Sequence, residues 1–244
     1  MNGHTYLSAS GHDFTGYTAT ATMSPSIIDL EGIAGLSGIG YDQVNSGLFD
    51  GARAYLFATT WNNPIEDQEP IVASFLGKTT LMDSRYKIEE MSLLDAIGQT
   101  IGQTYNAQCS KTFGGQEYGG CMVNLAANGN TVSGTLTGVT NSSSFADSGR
   151  AEAADVFGGG TIQFTSGPNA GLKPLEIKSF SGGAFVTFEP FYYLPAIGNT
   201  YTAVRGCRKR LSDCQARAGG SNVLNFGGFP WIPAGSTYAH IGQR

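Results

Sequence analysis

Apolar and polar positions alternate along most of this chain, at the period of a strand with one face buried. HTYLSASGHDF (4–14) and GYTATATMS (16–24) alternate in this way, and SIIDLEG follows. A short helical stretch is expected around DQVNSGLF, closed by Asp50 and Gly51. ARAYLFATTW and IVASFLGKTTLM read as half-buried strands joined by the acidic loop NNPIEDQEP. RYKIEE continues as a strand and passes into a helix whose apolar stripe is Leu93, Leu94, Ile97 and Ile101, a core-packing face.

The glycine- and serine-rich stretch 127–150 has few apolar residues, but TVSGTLTGVT alternates well enough to be a strand. AEAADVFGGGTIQFTSG reads as strand, glycine turn and strand. LKPLEIKSF, AFVTFEPF and YTAVRGC supply three more. Short strands at regular spacing predict a mainly β protein, with barrel- or sandwich-like domains and a few short helices. GGFPWIP, with two prolines and two glycines, predicts a packed irregular turn.

Composition supports this class. Charged residues are only 14 % of 244, and glycine numbers 35, a balance that favours turns and sheets over helical bundles. Charge is unevenly placed: residues 1–100 carry twelve acidic and four basic side chains, whereas 101–244 carry seven and ten. The asymmetry predicts two domains, 1–102 and 103–244. The acidic first half argues against tight nucleic-acid binding, which needs concentrated Lys and Arg. No apolar run is long enough to predict a membrane span. MNGHTYLSASGHDF has neither the basic flank nor the apolar core of a signal peptide, so thiols are expected to stay reduced.

Several catalytic chemistries are discounted. Gly77-Lys78-Thr79 resembles the end of a phosphate-binding loop, but position 72 is Val where the loop needs glycine, so Lys78 is expected to be a solvated strand residue. No Gly-x-Ser-x-Gly elbow occurs. His4, His12 and His240 lie near the ends, poorly placed for a general base. Glu66, Asp67 and Glu69 sit in the acidic loop, and Glu89 and Glu90 fall on opposite faces of a strand, so neither set makes an acid–base pair. Asn141-Ser-Ser is a lone glycosylation sequon without an export signal.

Four cysteines remain, in two unequal pairs: Cys109 and Cys121 in YNAQCSKTFGGQEYGGC, Cys207 and Cys214 in GCRKRLSDC. An even set points to joint use, as disulfides or as ligands of one metal site. RKRLSDC has no helix breaker, and a helix from Cys207 would hold its two Cα atoms ~10 Å apart, beyond disulfide reach. Arg205, Arg208, Lys209, Arg210 and Arg217 crowd this pair, and nearby cations favour thiolates. Neither pair has the Cys-x-x-Cys spacing of a zinc ribbon. All-cysteine ligation fits iron–sulfur or structural zinc chemistry, and the residues alone leave the metal open.

SIIDLEGIAG, GLFDGARAYLFATTW, Tyr105 with Cys109, Cys121 with MVNL, and above all GCRKRLSDCQARAGGSNVLNFGGFPWIPA together resemble the tail-hub proteins of long-tailed phages and gene transfer agents, related to lambda-type minor tail protein L. The resemblance departs from the family where the Cys109–Cys121 loop is longer and richer in glycine, and where family members begin earlier. It implies a four-iron–four-sulfur cluster on Cys109, Cys121, Cys207 and Cys214, with structural zinc the alternative. Phe226, Phe229 and Trp231 are expected to shield that site. The resemblance also implies a non-enzymatic homotrimeric ring at the virion tail tip, assembled in the bacterial host cytoplasm. That ring would surround the DNA channel without binding DNA tightly and would join the distal tail, tape-measure and tip or fibre proteins. Two rival expectations are a tail-associated metal-dependent cell-wall hydrolase and a secreted, disulfide-linked carbohydrate-binding module.

Overall fold

The computed structural model describes residues 13–14, 28–35, 39–59, 68–83, 85–92, 105–216 and 218–232. The Leu93–Ile101 helix, most of the strand expected over 4–14, all of that over 16–24, the three histidines and Arg217 lie outside the described residues. The chain divides into two compact units, Met1–Ile101 and Gly102–Arg244.

The first unit carries an antiparallel sheet of β1 (Asp13–Phe14), β2 (Ile28–Ile33), β3 (Arg53–Thr59), β4 (Gln68–Met82) and β5 (Arg85–Ser92), in the order β1-β2-β5-β4-β3. A helical turn, α1 (Tyr41–Asn45), precedes β3. Alternation on β5 sends Tyr86 and Ile88 inward, where they meet Ala34, Val44, Leu30, Ile39, Leu76 and Leu81. Gly32 on β2 leaves room for Tyr86, whose hydroxyl would lie 2.2 Å from an added Cβ. Glu89 and Glu90 do fall on opposite faces: Glu89 is exposed, and Glu90 accepts the Ser74 hydroxyl at 2.6 Å. Lys78 is an exposed residue of β4.

The second unit holds seven strands: β6 (Thr131–Thr135), β7 (Gly138–Asn141), β8 (Ser144–Ala146), β9 (Thr161–Phe164), β10 (Leu175–Ser181), β11 (Ala184–Thr187) and β12 (Thr200–Val204). Their order is β6-β12-β9-β10-β11-β8-β7, and every ladder is antiparallel. Among the described residues no ladder joins β6 to β7, so the order is open and not the closed ring of a barrel.

An aromatic core unites this sheet. Phe145, Phe157, Phe164, Phe180, Phe185, Phe191 and Tyr201 are almost fully buried with Leu136, Ile162, Ile177 and Ala203. Most of their rings pack tilted or edge-on, as at Phe157–Phe180 (4.8 Å) and Phe164–Phe191 (4.7 Å), while Phe145 and Phe185 stack at 6.2 Å, geometries that ring quadrupoles favour. β10 buries Ile177 and then Phe180, a step of three, because a bulge between Ile177 and Ser179 resets the alternation.

Two expectations change here. TVSGTLTGVT is not one strand: Leu136 and Thr137 separate β6 from β7, and Leu136 turns into the core. AEAADVF is not a strand either but a series of turns, with Asp155 at φ 64°. Its glycines serve close packing, since an added Cβ on Gly160 would lie 2.0 Å from the Val204 carbonyl oxygen.

Candidate metal centre

Four segments of the second unit converge around the cysteines. β12 leaves the sheet into Cys207, held by Arg205 N–H donating to Asn130 O (2.8 Å) and Gly206 N–H to Val156 O (3.2 Å). Lys209 then adopts φ 62°, a left-handed conformation uncommon outside glycine. The chain therefore kinks before it can coil, and the helix expected from Cys207 begins only at Leu211, as α2 (Leu211–Ala216). Cys214 lies on this helix and is buried; Cys207 lies outside it.

The first pair is mounted on turns. Cys109 N–H donates to Lys209 O (2.8 Å), tying the two pairs together directly. The loop to Cys121 closes through Gly120 N–H to Glu117 O (2.7 Å) and Met122 N–H to Gly115 O (2.8 Å), with Met122 at φ 59°. Two lysines brace the region from within: Lys111 Nζ donates to Gly120 O at 3.3 Å, and Lys209 Nζ donates to Lys111 O.

A fourth segment, 222–229, runs beside 106–110. Phe229 N–H donates to Asn106 O (2.7 Å), and Ser110 Oγ donates to Gly227 O (3.4 Å). Gly228 permits this approach, because a Cβ there would sit 2.7 Å from the Gln108 carbonyl carbon. Two N–H groups of this segment point at sulfur: Gly227 N to Cys109 Sγ at 3.3 Å and Asn222 Nδ2 to Cys121 Sγ at 3.8 Å.

All four cysteines are free thiols. Burial, then the neighbouring Cys207, Cys109 and Cys121 and the Asp213 carboxylate, push the Cys214 thiol above its usual range. Arg208 is engaged with Asp155 at 3.2 Å, and Lys209 with a backbone carbonyl. The same influence shows that the other three sulfurs lie within electrostatic reach of Cys214. Among the described residues, no three His, Cys, Asp or Glu side chains converge closely enough for a single ion. Tetrahedral zinc would draw thiolates to about 3.8 Å from one another, given its ~2.3 Å bonds. A cluster of several irons is larger and takes its four thiolates at wider spacing. What the residues offer such a group is an all-cysteine donor set and N–H groups that point at two of its sulfurs.

The aromatic residues of the terminal motif are placed otherwise than expected. Trp231 is 76 % exposed and Phe229 48 %. Phe229 packs edge-on against Tyr105 at 4.7 Å, and Phe226 is only half-buried. In the single chain the rings of Phe229 and Trp231 are open to solvent. Sequence reasoning missed Asn222, which is 6 % exposed and touches Cys121. Its signal lay in the same motif, NVLNFGG, where attention fell on the rings.

Comparison with known proteins bears on both units. Residues 1–124 match the sequence family described as baseplate hub protein, N-terminal attachment domain. Residues 155–235 match a second family, phage conserved hypothetical protein BR0599. Cys109 and Cys121 fall within the first match, Cys207 and Cys214 within the second. The fold is that of a chain solved in the virion of native gene transfer agent (GTA) particle, with a TM-score of 0.82 and 22 % identity over 98 % of this chain and 81 % of that chain. No curated protein matches the chain by sequence.

Proposed function

The chain belongs to the baseplate hub protein family defined by its N-terminal attachment domain, and from that premise we propose that it is a structural hub at the tail tip of a phage-like particle. The match over residues 1–124 carries this reading. The hub forms a three-subunit ring around the DNA channel. It joins the distal tail protein, the tape-measure protein and the tip or fibre protein, and it works in the virion after assembly in the host cytoplasm. Closed rotational assembly needs unlike patches that meet between neighbouring subunits. The acidic first hundred residues and the basic remainder supply such a pair. The channel wall is free of a basic stripe, since strong phosphate contacts would hold the DNA.

In this reading the second unit holds a four-iron–four-sulfur cluster on Cys109, Cys121, Cys207 and Cys214. When bound, the cluster supplies a covalent tie between distant parts of the chain. The protein's own residues present the sulfurs, exclude water from Cys121 and Cys214, and fix the loops that carry them. The role is structural and not catalytic: four thiolate ligands leave no open metal position for substrate, in contrast to catalytic sites that keep one free. A cell-wall hydrolase is therefore the weaker reading. A disulfide-linked module is weaker too, because the four sulfurs are unpaired.

A reconstruction of the intact tail tip tests the hub. Three copies of this chain should encircle the channel axis. Six copies, or a position outside the channel wall as a fibre, overturn the reading.

A further inference from the structure

Resting on the reading of the four cysteines as ligands of one metal centre, we propose that Asn222 and the Gly227 amide are its sulfur-facing donors, with Asn225 as the residue that orients Asn222. Asn222 is buried, with its side-chain Nδ2 3.8 Å from Cys121 Sγ. The amide's direction follows from its second contact. Asn225 Nδ2 donates to Asn222 Oδ1 at 3.0 Å, so the oxygen is taken and the N–H2 end must face the sulfur. The reverse orientation would set a carbonyl oxygen against a thiolate, two acceptors with no proton between them.

An N–H aimed at sulfur gains most when the sulfur is a thiolate, since hydrogen bonds to a charged acceptor are the stronger ones. A metal-bound cysteine is in that form. Gly227 N–H makes the matching contact to Cys109 Sγ at 3.3 Å. The two donors thus serve one sulfur each of the first pair, and both come from the segment that follows the second pair. Asn-Val-Leu-Asn-Phe-Gly-Gly is therefore a strap that turns N–H groups toward the centre, and the exposed rings of Phe229 and Trp231 are not what it contributes. Outer contacts of this kind set ligand orientation and metal affinity, and hydrogen bonds to the sulfurs are among the factors that set the reduction potential of iron–sulfur groups. They favour the more negative, reduced state and so raise the potential.

The test uses the full-length chain reconstituted without oxygen from iron(II) and sulfide. Wild type is compared with Asn222→Leu, Asn222→Asp, Asn225→Leu and Leu224→Ala. Asn222→Leu is expected to lower the midpoint potential and to weaken iron retention against a chelator by roughly 10–100-fold. Asn222→Asp keeps the size and the acceptor for Asn225 but removes the donor, and should shift both readings the same way; it decides the matter if the Leu variant does not fold. Asn225→Leu should give a smaller shift in the same direction. Leu224→Ala, at a side chain 94 % exposed on the same segment, should match wild type. Loaded Asn222 variants with wild-type potential and retention overturn this inference and leave the cofactor reading intact. Wild-type protein that takes up neither iron nor sulfide overturns the cofactor reading, and the inference with it.

Discussion

Tyr201 shows how a single side chain decides local stability in the second unit. Its ring is fully buried, and its hydroxyl donates to Asp147 Oδ2 at 2.7 Å. Arg150 Nε donates to the same hydroxyl at 3.3 Å, and its Nη1 donates to Glu152 Oε1 at 3.1 Å. Burial and the Asp147 carboxylate raise the Tyr201 phenol well above its usual range. Burial also works to raise Asp147, but the Tyr201 hydroxyl, the Gly149 amide and Arg150 outweigh it and hold this carboxyl below the ordinary range. A depressed carboxyl stabilises the fold above the unfolded-state value, ~3.9, and that contribution is lost as pH falls through the lower folded value. Tyr201→Phe removes one of the groups holding Asp147 down. It should cost about 1–3 kcal/mol at neutral pH and move the acid-unfolding midpoint to higher pH. Urea titrations across pH check both, and an unchanged acid midpoint would show that Arg150 and Gly149 suffice.

At the scale of elements, the approach of the glycine segment to the end of β12 fixes where Cys207 lies. A Cβ on Gly206 would sit 1.6 Å from the Gly158 carbonyl oxygen and 2.9 Å from the Gly160 nitrogen. Both neighbours are backbone, pinned in turn by Gly159 N–H to Ile177 O and Ile177 N–H to Gly160 O, each 2.8 Å. Neither side can yield without disturbing β10. Overpacking a well-filled core costs roughly 1–3 kcal/mol, and Gly206→Ala should reach about 3 kcal/mol or more by that standard, because no flexible side chain absorbs the clash. The expected result is a lower denaturation midpoint together with poorer iron uptake. A fully stable, iron-loaded variant would mean that the exit of β12 is free to shift.

For the whole molecule, the cysteines divide the second unit into a part that holds itself and a part that depends on them. The β6–β12 sheet has its own aromatic core. Among their described residues, segments 105–122 and 207–229 have few buried apolar side chains and rely on turns, backbone contacts and the sulfurs. A centre that ties residue 109 to residue 214 closes a long loop, which removes chain entropy from the unfolded state, and binding that requires the fold adds to folding free energy. Protein purified without oxygen should contain iron and inorganic sulfide in equal amounts. Chelation should speed amide hydrogen exchange in 105–122 and 207–229 while the strands stay protected. Stoichiometric zinc without labile sulfide would sink the iron–sulfur assignment. Uniform loss of protection would show that the sheet depends on the metal as well.

What the sequence determined by itself was the part of the protein governed by local period and side-chain chemistry. Alternation marked β3, β4, β5 and β9 to β12 because a strand with one buried face repeats every two residues. The even, paired cysteines marked the candidate centre because thiols are few and chemically distinctive. What only the tertiary structure decided depended on atoms far apart in the chain. The glycines at 158–160 read as a hairpin turn, yet they are small because another backbone lies against them. RKRLSDC has helical propensity throughout, but Lys209 is held in a left-handed turn, with its carbonyl accepting Cys109 N–H. Asn222 resembles any polar loop residue until Cys121, a hundred and one positions earlier, is folded beneath it. Period and composition are read along the chain, whereas close approach, charge proximity and the direction of an amide exist only between segments that folding brings together.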